Sequence, residues 1–303
     1  MQRLLFLFLL AVLSACTGPQ VLNSLTPESG YEAASNLIYD DQRQLRLDIY
    51  TPQQEKLAPV VVAFFGSRWS EGDKAEFKFA AQGLAAQGFV VVVPNYRKYP
   101  QARFPAFVED GAHAVKWVRE NIARYGGRPE QIFVLGHSAG AHIAAMLALN
   151  EDFMKEAGGS RDWIKGMIGL AGPYDFLPLT DPDLREIFAP PEDFEKSQPV
   201  FYVDGQNPPL LLMHGEDDEL IRVKNTRNLA SAVAKAGGPV ETIIYPKMSH
   251  QWIIATMSSR LRSQSDVLDN ISDFIHRIVA GKQVGTIQGG VEGKALPAQA
   301  EAA

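Results

Sequence analysis

The chain has 303 residues, room for one large domain or two small ones, and its 46% hydrophobic and 21% charged content is that of a soluble globular protein. A formal net charge of −6 without any basic run argues against a nucleic-acid partner, and Cys16, the single cysteine, leaves no intramolecular disulfide to form. No internal repeat is visible at any period.

Residues 1–16 read as a leader rather than as part of the fold. Met1-Gln2-Arg3 gives a positive end, and residues 4–13 form an apolar core too short to span a bilayer comfortably. Leu13-Ser14-Ala15-Cys16 resembles the lipobox of bacterial lipoproteins, in which the cysteine becomes the lipid-modified first residue of the mature chain. That resemblance implies a lipid anchor on Cys16, hence a membrane partner, followed by a linker over 17–30. Thr17, where an Asp would favour inner-membrane retention, points to the outer membrane, on its periplasmic or surface side.

Strand and helix signals then alternate. Residues 46–50 alternate like an edge strand, and 60–65 are continuously apolar, as in a strand covered on both faces. A helix is predicted over 75–87, closed by Gly88, and a buried strand over 89–93. An amphipathic helix over 109–125 carries Ala112, Val115, Val118 and Ile122 on one face and stops at Gly126-Gly127. The strand at 132–135 and a small-residue helix ending near Leu149 come next, then strands at 164–171 and 210–214. A helix over 226–236, a last strand over 241–245 and a terminal helix over 267–279 complete the pattern. Such alternation predicts one α/β domain over 31–280, a mostly parallel central sheet with helices on both faces. Residues 281–303, rich in Gly, Ala and Gln, are expected to be a loose tail. The proline- and aromatic-rich stretch 173–209 lies where a cap over the site would sit; the competing reading is a surface excursion packed on its own aromatics.

The chemistry concentrates at Gly136-His137-Ser138-Ala139-Gly140, between a buried strand and a helix. This is the strand–turn–helix setting of a G-x-S-x-G nucleophile elbow, with Ser138 on the sharp turn and at a helix N-terminus that favours a developing anion. A serine hydroxyl needs an adjacent base. Of the six histidines, His113 and His276 fall in helices, His137 and His142 flank the nucleophile with side chains expected to point away from its hydroxyl, and His214 ends a strand. His250 follows the last strand and lies C-terminal to both nucleophile and acid, so it is the expected base. The run Glu216-Asp217-Asp218-Glu219 offers the orienting acid, Asp218 first, with Asp217 and then Asp175 as alternatives. Oxyanion donors are expected from the N–H of Ala139 and from the loop Gly66-Ser67-Arg68-Trp69, through Ser67 and Arg68, with Gly66 and Trp69 at the substrate. No metal and no cofactor is called for.

These motifs together resemble the α/β-hydrolase carboxylesterases of the hormone-sensitive-lipase-like and BD-FAE-like groups, over about residues 36–278. Phe65-Gly66-Ser67-Arg68-Trp69-Ser70-Glu71-Gly72-Asp73-Lys74 is similar to their HGGGW-x-x-GDK loop. Pro94-Asn95-Tyr96-Arg97, Phe104-Pro105-Ala106 and Glu109-Asp110 are similar to their D-Y-R, FPA and ED segments. His214-Gly215-x-x-Asp218 is similar to HG-x-x-D, which independently favours Asp218, and Ser249-His250 to G-H. The resemblance implies an α/β-hydrolase fold and hydrolysis of a small carboxylic ester through an acyl-enzyme on Ser138. An arylformamidase-like amidase is the nearest alternative, and a non-catalytic surface lipoprotein with the same fold is the alternative of a different class. The departures lie in the loop, where Phe65, Ser67 and Arg68 replace His and two glycines. Backbone N–H donors survive such changes; the added side chains are expected to narrow the acyl pocket, and Arg68 to attract acidic substrates.

Overall fold

The computed structural model describes residues 18–53, 57–282, 284–285 and 291–294. The leader with Cys16 and most of the last segment therefore lie outside the described residues. A nine-stranded sheet runs in the order β1-β2-β4-β3-β5-β6-β7-β8-β9. Its strands are β1 (Tyr31–Asp40), β2 (Leu45–Pro52), β3 (Ala58–Phe64), β4 (Val90–Pro94), β5 (Gly127–His137), β6 (Ile164–Leu170), β7 (Leu210–Gly215), β8 (Val240–Tyr245) and β9 (Val291–Glu292). β2 pairs antiparallel with β1 and with β4, and every other pairing is parallel.

Every residue of β4 and β7 is buried, which requires cover on both faces of the sheet. The helices are α1 (Gly18–Ser24), α2 (Lys78–Ala85), α3 (Ala106–Asn121), α4 (Ala139–Leu149), α5 (Glu151–Glu156), α6 (Pro182–Ile187), α7 (Lys224–Lys235), α8 (His250–Ala255) and α9 (Val267–Val279), and the cover comes from α2, α3, α4, α7, α8 and α9, with α1 packed on α2 and α5 on α3 and α4. α4 is buried at all its positions, Ala-rich and close to the sheet, whereas α7 and α9 bury only one face, which in α7 includes Asn225 and Thr226 beside Leu229 and Val233.

Three elements fall outside the sequence-based expectation. β1 forms an outer strand with only Tyr31 and Tyr39 buried, so it carries no apolar run to betray it. In the stretch expected to link leader and domain, α1 is docked: Asn23 donates to the Ala75 carbonyl at 2.8 Å and accepts from the Phe79 N–H at 2.9 Å. In the stretch expected to be a loose tail, Val291–Glu292 adds β9 beside Ile243 and Ile244.

The order in which strands are added reverses at β3, with β4 on one side and β5 on the other, and ligand sites of open α/β sheets form at such a point, beyond the strands' carboxyl ends. The loops after β3, β5, β7 and β8 carry, in turn, residues 66–69, Ser138, Asp218 and His250.

Candidate active site

Ser138 joins β5 to α4 with φ 54° and ψ −121°, a conformation that L side chains rarely adopt. Close packing forces the turn. A Cβ on Gly136 would fall 2.1 Å from the Gly140 carbonyl oxygen, and one on Gly140 would fall 2.0 Å from that of Phe64. Gly136 lets the first turn of α4 close onto β5 and Gly140 lets it press against the end of β3, where Gly66 lies against Ser138: a Cβ there would lie 3.0 Å from the Ser138 Cβ. The Ala139 N–H, in the first turn of α4, has no acceptor within the helix and is free to face an anion.

His250 opens α8 and is buried, with Nδ1–H donating to Asp218 Oδ2 at 2.7 Å. Asp218 is itself buried, and its Oδ1 accepts the N–H groups of Leu220 at 3.0 Å and Ile221 at 2.8 Å. Burial pushes its carboxyl up, but hydrogen bonding from His214 and His250 and from the Ile221 N–H outweighs this and holds it well below the ordinary carboxylate range. The carboxylate is therefore ionised at neutral pH and fixes His250 with the proton on Nδ1, leaving Nε2 as the basic nitrogen. Of the alternatives, Asp217 is exposed and Asp175 accepts from Asn228 at 2.6 Å; neither contacts His250. The approach of the two loops again depends on a glycine, since a Cβ on Gly215 would lie 2.0 Å from the Met248 carbonyl oxygen.

His137, expected to point away from the nucleophile's hydroxyl, packs its ring against His250 with centroids 4.7 Å apart. Its Nε2–H donates to the His250 carbonyl at 2.9 Å, tying the residue before the nucleophile to the loop that carries the base. Burial drives its pKa down to about 3, so it acts as a neutral strut. The Ser138 hydroxyl makes no hydrogen bond among the described residues, and hydrogen bonds of this kind often tighten only when substrate arrives.

The loop after β3 holds three consecutive non-glycine residues at positive φ: Ser67 at 132°, Arg68 at 51° and Trp69 at 57°. Its bracing comes from the segment after β4. Phe65 stacks on Tyr96 with centroids 4.6 Å apart, the Tyr96 hydroxyl donates to the Phe65 carbonyl at 2.8 Å, and the Tyr99 N–H donates to the Trp69 carbonyl at 2.9 Å. Lys98 Nζ donates to the Gly72 carbonyl, and Asn95 accepts from the Lys74 N–H at 2.8 Å while donating to Asp73 at 2.7 Å.

Two sequence-based expectations about this loop are corrected. Arg68 does not present an unpaired charge to acidic substrates, because its guanidinium bonds Asp181 at 2.8 Å, on the segment over 173–209. Trp69 is not at an open substrate surface: it is 3% exposed, enclosed by Phe107, Phe176, Phe188 and His142. Large flat rings bury more area packed on each other than facing a wet cleft. Phe176 and Phe188 come from the 173–209 stretch, so its aromatics seal onto the main domain rather than only onto one another.

A nucleophile elbow after β5, an acid after β7 and a histidine after β8 on a mostly parallel sheet define an α/β-hydrolase. The BD-FAE family matches residues 47–233, and the chain belongs to it. Among its relatives, the isoprenylcysteine alpha-carbonyl methylesterase ICME of Arabidopsis thaliana is 32% identical over 264 residues, which cover 80% of this chain and 61% of that protein. Esterase LipQ of Mycobacterium tuberculosis is 28% identical, with 80% and 60% covered. The chain thus spans about six-tenths of the length of these curated relatives. Among solved structures, esterase B of Lactobacillus rhamnosis superimposes with a TM-score of 0.76 at 15% identity, over 92% of this chain and 96% of that one, a likeness of fold.

Proposed function

We propose that this protein is a serine esterase that hydrolyses small carboxylic esters through an acyl-enzyme on Ser138. The observation that carries the reading is the buried Asp218–His250 hydrogen bond at 2.7 Å, fixed to the loop of a strained serine by the His137–His250 contact. His250 Nε2 takes the proton of the Ser138 hydroxyl as Oγ attacks the ester carbonyl. The carbonyl π electrons move onto oxygen, where the Ala139 N–H and the N–H groups of Ser67 and Arg68 receive them. The imidazolium, stabilised by Asp218, returns its proton to the leaving alcohol, and the C–O bond breaks. Water then repeats the sequence on the acyl-enzyme, releasing the acid and free Ser138. Relatives named as esterases, one of them a methylesterase, support the ester class and a small leaving alcohol.

The test is a rate panel on nitrophenyl esters of rising acyl length and on an aryl formamide, with Ser138→Ala alongside. Short-ester turnover that disappears in the variant is expected. Formamide cleavage without ester turnover would make the protein an amidase, and failure of a fluorophosphonate to label folded protein would remove the serine mechanism altogether.

We also propose that Cys16 carries a lipid and holds the enzyme on the outer membrane. The sequence Leu13-Ser14-Ala15-Cys16 behind a short apolar core supports this, and among the described residues no helix is long and apolar enough to cross a membrane. Incorporation of an alkyne-tagged fatty acid, lost in Cys16→Ala, is the expected result; tagging that persists in the variant would refute it.

A further inference from the structure

His214 is the penultimate residue of β7 and is fully buried, with both ring nitrogens engaged. Nε2 lies 2.7 Å from the Ile221 carbonyl oxygen and 3.2 Å from Asp218 Oδ2. Both neighbours can only accept, so Nε2 carries the proton; Nδ1 then accepts from the Thr226 hydroxyl of α7 at 2.8 Å. The proton is shared unequally, the carbonyl first and the carboxylate second.

This arrangement acts on Asp218 in two ways. Through the carbonyl, His214 pins the residue whose own N–H donates to Asp218 Oδ1 at 2.8 Å. Through Oδ2, it approaches the same oxygen that accepts the His250 proton, and so withdraws charge from that bond. The titratable groups facing His250 are Asp218, His214 behind it and His137 across the ring. We propose that His214 is a positioning residue for the Asp218–His250 pair: it aims the carboxylate and tempers the negative charge that His250 meets, without touching substrate. The proposal deepens the esterase reading and rests on it, while its effect on Asp218 can be read separately.

His214→Phe keeps the ring's bulk and removes both nitrogens; His214→Gln restores a side-chain N–H donor. In His214→Phe, kcat is expected to fall about 10- to 100-fold, the loss that removal of an orienting outer partner brings at metal-bound imidazoles, with KM little changed. The acid limb of its pH–rate profile is expected to move to higher pH, because a carboxylate with one donor fewer stabilises the imidazolium more strongly. His214→Gln should recover part of kcat and return the limb toward its original position. An acid limb that stays in place, with kcat falling only as far as the folded fraction falls, would overturn the proposal. If His214→Phe does not fold, Thr226→Val, which removes the hydroxyl that fixes the tautomer, should shift the limb in the same direction by less; an unmoved limb there would also overturn it.

A second readout needs no turnover. The His250 Nδ1–H, in a short bond to a carboxylate, should give a low-field proton resonance that moves further downfield in His214→Phe. No movement in folded protein would overturn the proposal. Movement in a protein that turns over no ester, even as wild type, would refute the esterase reading while upholding His214's action on Asp218.

Discussion

Ser67→Gly tests whether the loop beside the nucleophile stores strain. At φ 132° Ser67 occupies backbone space open in practice only to glycine, and conformations of that kind cost about 1–3 kcal/mol. Glycine removes the cost but adds about 0.5–1 kcal/mol of backbone entropy to be lost on folding. The difference is a stabilisation of about 1 kcal/mol. Nothing else of consequence is lost, because the hydrogen bonds that shape the turn use the Ser67 carbonyl, which accepts from the Ser70 N–H at 3.1 Å and the Glu71 N–H at 3.2 Å. In urea titrations the midpoint should rise with an unchanged slope, and the melting temperature should rise by about 2–4 °C for each kcal/mol. Ester turnover should change by less than about fivefold, since the donors proposed for this loop are backbone N–H groups and a single lost donor would cost about 100-fold or more. A lowered midpoint would refute the strain argument, and a loss of turnover of that larger size would show that the Ser67 side chain takes part in the chemistry.

Asp218→Asn should leave the fold intact and lower kcat by up to about 10⁴-fold, because a neutral amide no longer favours the His250 tautomer with its proton on Nδ1; a loss below tenfold would mean that another group orients the base. Stability should fall with acidification on account of His142, fully buried with Nε2 bonded to the Ser197 carbonyl at 2.8 Å and pushed by burial down to about 4. Its folded pKa lies below the ordinary 6.5, so the unfolded chain binds the proton first: the contribution is complete above pH 6.5 and drains away as pH falls toward 4, by about 3 kcal/mol at most. His142→Gln should lessen, without abolishing, the fall of the urea midpoint between pH 6.5 and 4.5, because buried His137, pushed down to about 3, adds a fall of the same sign; an unchanged slope would mean that His142 contributes nothing to it. Arg68→Ala should cost less than about 1 kcal/mol, as its pair with Asp181 is largely exposed, and should alter turnover only severalfold; a 100-fold loss would make the guanidinium itself an oxyanion donor.

The sequence reveals those parts of the site that follow chain-local rules. Ser138 stands out because glycines at 136 and 140 have few other reasons to bracket a residue between a buried strand and a helix. His250 follows from its place after the last core strand, and Asp218 from the apolar Leu220-Ile221 pair that follows it, with the resemblance of His214-Gly215-x-x-Asp218 to the family's HG-x-x-D motif beside it. What stays hidden is set by contacts across strands. Nothing in the identity of His137 announces that its ring reaches His250, and nothing beyond a motif letter suggests that His214 reaches Asp218. Trp69 misleads for the same reason, because whether an aromatic lines a cleft or closes a cluster depends on Phe176 and Phe188, more than 100 residues away. β1 escapes notice because an outer strand buried only at Tyr31 and Tyr39 needs no apolar run.

Two strained segments meet at this site, and they are held in opposite ways. The elbow is held by what is missing: glycines at 136 and 140 leave no atom between β5, α4 and the Phe64 carbonyl, so the backbone has nowhere else to go. The loop after β3 has side chains where the HGGGW motif it resembles has glycine, and it is held by what is present, the Phe65–Tyr96 stack, the Tyr96 and Tyr99 hydrogen bonds, the buried Trp69 and the Arg68–Asp181 pair. A Gly-rich loop must lose more conformational freedom to present its N–H groups than one made of Ser, Arg and Trp. On the proposed mechanism, in which the Ser67 and Arg68 N–H groups receive the oxyanion, the strain at 67–69 is the cost of donors that are already ordered before substrate arrives, and preordered donors stabilise a developing oxyanion without reorganising.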